Sequence, residues 1–260
     1  MALKSDSHVA VLRFSALGDV AIASPLVKAY AAANSNIKFT VVSRAMLEPL
    51  FKGGDNLCFH PLDTVKKHKG VVGIFRLFKE LRSLGVTHVA DFHSVLRTHI
   101  LRSLFFFTAT PFKQIDKGRA QKAALTAKEN KVLVELPSSM SRYEDVFKKL
   151  GFTHLNFASK RVTLKKSNYA QRVAAGEPLK IGVAPFAKHR GKEWPKERVE
   201  SLLAQLSEKE IYHISLFGGG AGEVEILEEW EKRYPRVRSI ASRLSFEQEL
   251  EIISSLDLMI

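Results

Sequence analysis

Short runs of β-branched and aromatic residues alternate with amphipathic helical stretches along nearly the whole chain. That alternation restricts the fold more than any other feature. HVAVLRF (8–14), KFTVVS (38–43), NLCFHPL (56–62) and THVADF (87–92) have the composition of strands. Between them, PLVKAYAAA (25–33) and VVGIFRLFKELRSLG (71–85) carry the i, i+3, i+4 spacing of helices, and Gly85 closes the second as a C-terminal glycine does. SVLRTHILRSLFFF (94–107) predicts a further helix and PFKQID (111–116) a strand. A βαβ series of this kind builds a parallel sheet.

A second series begins near residue 179. LKIGVAPF (179–186), IYHISLFGGG (211–220) and VRSIA (237–241) are expected strands. WPKERVESLLAQL (194–206), AGEVEILEEWEKRY (221–234) and SFEQELEIISSL (245–256) are expected helices, and DLMI (257–260) opens another strand. The polar stretch LKKSNYAQRVAAGEP (164–178) is the natural linker. Residues 1–163 and 179–260 are therefore expected to form two Rossmann-like α/β domains with parallel sheets facing a cleft, the second incomplete at Ile260. A chain of 260 residues has room for two domains of ordinary size.

Charge separates the halves. Residues 1–150 hold 23 Lys and Arg against 12 Asp and Glu, whereas residues 151–260 hold 17 against 15. The basic half is expected to meet an anionic partner: nucleic acid, an anionic membrane face or a phosphorylated substrate. Nucleic acid is the weakest of the three, because the cations form no recognition-helix, RNP-type or zinc-finger pattern. The single cysteine, Cys58, excludes an internal disulfide framework and suits a reducing compartment. The apolar run near the N-terminus is too short for a signal sequence, and no stretch approaches the roughly 20 apolar residues of a membrane span. A cytoplasmic protein is expected.

Several chemistries are excluded by motif. No G-x-G-x-x-G follows the first strand, and G-x-x-x-x-G-K-[ST], H-E-x-x-H and paired cysteines do not occur. D-x-D, which would present two carboxylates to a divalent ion on a diphosphate, is also absent. Any phosphate must then be neutralised by Lys, Arg and helix N-termini. IGVAPFAKHRGKEWPKERV (181–199) offers these: a strand, then Lys188, Arg190 and Lys192 at alternate positions, then Trp194-Pro195 opening a helix with proline in its first turn. Such a junction suits a diphosphate leaving group, and a solvated basic loop is the alternative reading. In LFGGGAGE (216–223), Gly219 and Gly220 would let backbone approach a ligand closely, although a glycine-rich turn is often only a turn.

VLRFSALGDVAIASPLV (11–27) places Asp19 directly after Gly18, the only glycine of the turn behind the first strand. Open α/β sheets hold ligands at such carboxyl ends. Asp19 reads as a general base or as a helix cap. Ser24-Pro25 offers an equally good cap and first-turn pair, which favours the base. A carboxylate within hydrogen-bond reach can take the proton of an attacking hydroxyl.

LRFSALGDVAIASPLV, THVADFHSVLRTHIL, GVAPFAKHRGKEWPKERV and LFGGGAGE, in this order and spacing, resemble the heptosyltransferase family of bacterial lipopolysaccharide assembly, glycosyltransferase family nine. The resemblance implies a GT-B architecture. It implies an inverting, metal-independent transfer of heptose from an ADP-sugar to the lipopolysaccharide inner core, with no cofactor. It makes Asp19 the base and gives Lys192 the grip on the donor phosphates. It places contacts to an anionic, lipid-linked acceptor near Gly18, His93 and Arg97, of which Arg97 suits a carboxylate or phosphate.

The segment QIDKGRAQKAALTAKENK (114–131), with Lys117 and Arg119, is the expected acceptor- or membrane-facing loop and helix, a solvated face being the alternative. Membrane contact there would be peripheral, on the inner face of the cytoplasmic membrane. His8, His60 and His213 are expected to be structural. Family members run on to a D-[ST]-G-x-x-H-type motif that helps bind the nucleotide, so residues 1–260 alone are expected to express poorly and transfer little. The competing readings are a GT-B transferase with another nucleotide-sugar donor and a truncated, inactive binding module.

Overall fold

The computed structural model describes residues 3, 6–155, 174–187 and 189–260. The chain separates into two compact units, Met1–Arg161 and Val162–Ile260. Residues 164–173 of the expected linker lie outside the described residues.

The first unit holds β1 (His8–Leu12), β2 (Lys38–Ser43), β3 (Leu57–Pro61), β4 (His88–Asp91) and β5 (Phe112–Gln114). Their order is β3-β2-β1-β4-β5, and every pair is parallel. The helices are α1 (Leu17–Ala33), α2 (Gly70–Ser83), α3 (Leu96–Phe106), α4 (Arg119–Leu125) and α5 (Ser139–Lys149). β1 is buried along its whole length, which is why HVAVL is a continuous apolar run with no polar face. Its one histidine, His8, is accommodated by ring contacts to the Leu84 carbonyl at 2.9 Å and the Thr40 hydroxyl at 2.7 Å. One core packs Leu12, Val42 and Val89 against Ile74, Leu77 and Leu81 of α2 and Leu101 and Phe105 of α3. A second cluster is aromatic: Phe147 of α5 lies 4.3 Å from Tyr30 of α1 and 5.2 Å from Phe92, ring centroid to ring centroid.

The start of α1 corrects one expectation. The helix begins at Leu17, and Ser24 and Pro25 lie inside it. The Ser24 hydroxyl donates to the Leu50 carbonyl at 2.6 Å, binding α1 to the 3₁₀ turn Ala45–Phe51 instead of capping a helix end. Pro25 removes one intrahelical N–H, but Leu26, Val27 and Tyr30 beyond it are buried and hold the helix on course. The cap position is Ala16, with no side-chain hydrogen bond, and Asp19 is the third residue of the helix. Asp19 is therefore not a cap, for a different reason than the sequence suggested.

The second unit holds β6 (Leu179–Val183), β7 (Tyr212–Leu216), β8 (Val237–Ser239) and β9 (Leu258–Met259), ordered β8-β7-β6-β9 and also parallel throughout. Among the described residues its longer helices are α6 (Lys196–Ser207), α7 (Ala221–Arg233) and α8 (Phe246–Ser255). Val199 and Leu203 of α6 and Leu227 and Trp230 of α7 pack on Ile181, Val183, Ile214 and Leu216. The buried Trp230 indole donates to Glu200 Oε1 at 3.0 Å. Pro195 is the cap residue of α6 and not its first helical residue, since ψ 136° keeps it extended. Thus both sheets are parallel and helix-covered, as the alternation of the sequence requires.

Candidate active site

In the order β3-β2-β1-β4-β5 the chain builds outward from β1 to β3 and then returns to β4. The β1/β4 pair is thus the switch point, and its carboxyl end is where such sheets bind ligands. Arg13 follows β1 there and is buried. Its Nη1 donates to the Phe92 carbonyl at 2.7 Å behind β4, and its Nη2 donates to Asp19 Oδ2 in a close ion pair. The guanidinium also stands 5.9 Å from the centre of the Tyr143 ring. Asp19 itself is 44 % exposed, so an incoming hydroxyl can reach it.

The β4 end is organised by Asp91, which is fully buried. Its Oδ1 accepts the N–H groups of His93 and Ser94 at 2.8 and 2.9 Å, folding the turn that presents His93. Burial pushes the Asp91 carboxyl up, and the N–H bonds oppose that only in part. His93 stands edge-on to Phe14, and its Nδ1 is buried with no hydrogen-bond partner among the described residues. Burial first, then the Arg13 and Lys117 charges, push His93 down to about 4, so it is neutral at physiological pH. Burial, then Arg119 and Arg13, also lower Lys117.

Arg13, Asp19, His93 and Lys117 line one cavity of about 660 Å³ with Ser138, Arg142 and Tyr143. Its charged lining is Asp19 and four cations: Arg13, Lys117, Lys122 and Arg142. Arg142 is committed to the fold. It donates to the carbonyls of Pro137 and Asp116 and to Gln121 Oε1 at 3.0–3.2 Å, tying α5 to α4 and the turn before it. Gly118, at φ +60°, sits directly against that guanidinium and has no room for a Cβ.

Asp19, His93 and Lys117 are thus brought together, whereas Arg97, Arg119 and Gly18 are not part of this cavity's lining. Arg97 is exposed in the first turn of α3. Arg119 lines a neighbouring cavity of about 550 Å³ with Lys117, Asp116 and His99. Gly18 has nothing within 4 Å of where a Cβ would be, which leaves open space beside Asp19. Sequence reasoning missed Arg13, Asp91 and Tyr143. The signals for them were an arginine at the end of an apolar strand, the aspartate of VADFH, and the capped amphipathic pattern SSMSRYEDVFKK of α5.

In the second unit Lys188 and the Arg190 side chain lie outside the described residues. Lys192 is exposed at the end of the 3₁₀ turn Arg190–Lys192, and its N–H donates to the His189 carbonyl at 2.9 Å. Glu193 Oε1 braces the same loop by accepting the Ala187 N–H at 3.1 Å. Gly220, at φ +140°, is the cap residue of α7, a conformation that side-chain-bearing residues rarely adopt. The Gly219 N–H is taken by Glu223 Oε2 at 2.8 Å, so a phosphate binding there must displace a carboxylate. Glu223 is a further residue the sequence reading missed.

His60, His68 and Glu80 also converge, with ligand-type atoms within 4.8 Å of one another. The hydrogen bonds account for them without an ion. The Asp63 N–H donates to His68 Nδ1 at 3.1 Å, so the His68 proton sits on Nε2 and goes to Glu80 Oε2. His60 Nε2 meets the same oxygen at 2.9 Å and Lys67 the other at 2.9 Å. Burial works against the Glu80 carboxylate, but bonds from Lys67, His68 and His60 hold it below its ordinary value. His60 thus joins β3 to Glu80 of α2 within the first unit.

Comparison with known proteins follows the same lines. No curated protein matches the chain. Among solved structures, the glycosyl transferase family 9 protein from Veillonella parvula superposes with a TM-score of 0.73 at 16% identity, over 100% of this chain and 76% of that one. Heptosyltransferase WaaC of E. coli, solved with ADP-2-deoxy-2-fluoro heptose, gives 0.68 at 18% identity, over 97% and 81%. The E. coli ADP-heptose lps heptosyltransferase II gives 0.62 at 17%, over 97% and 78%. These likenesses establish the GT-B type of fold. Residues 74–260 match the family described as glycosyltransferase family 9 (heptosyltransferase), and the chain belongs to that family.

Proposed function

We infer that this glycosyltransferase moves heptose from an ADP-sugar to an anionic inner-core acceptor of lipopolysaccharide, inverting the anomeric carbon without a metal. The observation that carries the reading is one accessible carboxylate, Asp19, held by Arg13 in a cavity whose other charged lining residues are all cations. The acceptor hydroxyl gives its proton to Asp19 as its oxygen attacks the anomeric carbon. The new C–O bond forms opposite the one that breaks, whose electron pair leaves with the diphosphate. Lys192 and the N–H groups at the start of α7 suit that developing charge, which makes a metal unnecessary. Lys117 and Lys122 offer charge-assisted bonds to acceptor carboxylates or phosphates. Neutral His93 lines the same cavity without adding positive charge.

The test is transfer from ADP-heptose to heptose-deficient lipopolysaccharide, with the product's anomeric configuration read by NMR. Asp19→Asn should lower turnover about 100-fold or more, the scale of losing a general base, with donor affinity little changed. Activity of the variant within a few-fold of the parent overturns the base assignment. Retention of configuration overturns the single displacement, and transfer only from another nucleotide-sugar overturns the donor.

A further inference from the structure

Helix α2 is apolar on both sides. Ile74, Leu77 and Leu81 face the core of the first unit. At 3.6 residues per turn, Val71, Phe75, Lys79, Val72 and Arg76 fall in that order across an outer arc of about 140°. The structure leaves Val71 67 % exposed, Val72 75 % and Phe75 44 %, and Val65 in the preceding turn 74 %. A contiguous exposed apolar face of this kind marks an interaction surface.

Its charge says which kind. From Thr64 to Lys79 the chain carries five Lys and Arg and no Asp or Glu. Lys66 and Lys69 are exposed beside the valines, and Lys79 Nζ stands 4.9 Å over the Phe75 ring. The turn is also braced. Asp63 accepts the N–H groups of Val65 and Lys66 at 2.9 Å, and Glu80 ties down Lys67 and His68. A second copy of the same patch would set like charges against each other, which disfavours self-association. A negatively charged bilayer matches both features. Valine and phenylalanine tips enter the headgroup boundary while lysine stems reach back to the phosphates.

We propose that the outer face of α2, with the turn before it, docks the protein on an anionic lipid bilayer. This puts a membrane contact on α2, apart from the 114–131 segment where the sequence suggested one. It stands independently of the transfer reaction. If the proposed function also holds, docking serves it, because α2 begins at the sheet edge that carries the Asp19 cavity, where a lipid-linked acceptor must arrive.

The experiment is flotation of the full chain with vesicles of phosphatidylcholine alone or mixed with phosphatidylglycerol. Binding is expected only to the mixed vesicles. Val72→Glu should weaken it more than tenfold: about fivefold from the added like charge at the surface, and about a further twofold or more from the valine area withdrawn from the boundary. Lys69→Gln should weaken it about fivefold. Leu133→Glu makes the same charge change as Val72→Glu at an 81 % exposed position outside the patch, and should cost about twofold or less because of salt screening. All three positions are solvent-exposed, and circular dichroism confirms each fold. Equal losses from Val72→Glu and Leu133→Glu overturn the proposal, as does failure to float with mixed vesicles. A concentration-dependent dimer abolished by Val72→Glu assigns the face to self-association and overturns it too. Loss of transferase activity bears only on the proposed function, since flotation needs no turnover.

Discussion

His93 provides a measurable link between the site's electrostatics and the stability of the first unit. Its imidazole, ordinarily near 6.5, is pushed down to about 4 by burial and by the Arg13 and Lys117 charges. Between those values the unfolded chain binds a proton that the folded chain does not. Stability from this group is therefore complete above about 6.5 and is lost progressively as pH falls toward 4. Between pH 7.5 and pH 5 the linkage amounts to about 2 kcal/mol in full, and about 1–2 kcal/mol once partial screening by solvent is allowed for. His93→Gln removes the titration, so its stability should fall less with acid by that amount. His8 and His88 are also lowered by burial, but they are common to both proteins and cancel in the comparison. Both tryptophans, Trp194 and Trp230, lie in the second unit, so fluorescence follows the wrong part of the chain. Hydrogen exchange of β1 and β4 amides in urea reports the first unit directly. An NMR titration of the His93 ring gives the folded value independently. Parallel stability curves for the two proteins, or a ring that titrates above pH 6, would refute the reasoning.

The remaining predictions concern the second unit. Lys192→Ala should raise the Michaelis constant for the nucleotide-sugar and slow transfer, through loss of a charge-assisted contact to the diphosphate; unchanged donor kinetics would remove Lys192 from the site. A chelator should leave transfer unaffected, and activity lost to EDTA but restored by magnesium or manganese would overturn the metal-free mechanism. Gly182→Ala in β6 would drive a Cβ into Leu256, Met259 and, at 2.9 Å, Phe217. It should destabilise the second unit by about 1–3 kcal/mol, the usual cost of overpacking, read as a lower midpoint of tryptophan-monitored unfolding.

The sequence by itself determined the class of fold and much of its anatomy. Buried parallel strands must be continuous apolar runs, and the helices that cover them must carry one apolar stripe, so KFTVVS and VVGIFRLFKELRS could hardly fold otherwise. It also placed Asp19 and His93 at strand ends, where α/β sheets bind ligands, and Lys117 in a basic acceptor- or membrane-facing segment, and the structure gathers these three around one cavity. Local pattern misplaced the start of α1, because the Ser-Pro signal of a cap at Ser24 was overridden by a tertiary bond to Leu50. The same limit hid the residues that give the cavity its character. Arg13 matters because it bridges the ends of β1 and β4, far apart in sequence, and Tyr143 because α5 returns to stack on Phe92 at 4.6 Å. A carboxylate's role depends on what stands across from it, and a histidine's charge on how deeply it is buried. Both are set by contacts between distant segments, which no local spacing encodes. The exposed face of α2 makes the same point: its valines look like core residues in the sequence, and only the packed structure shows that Val71, Val72 and Phe75 are left exposed.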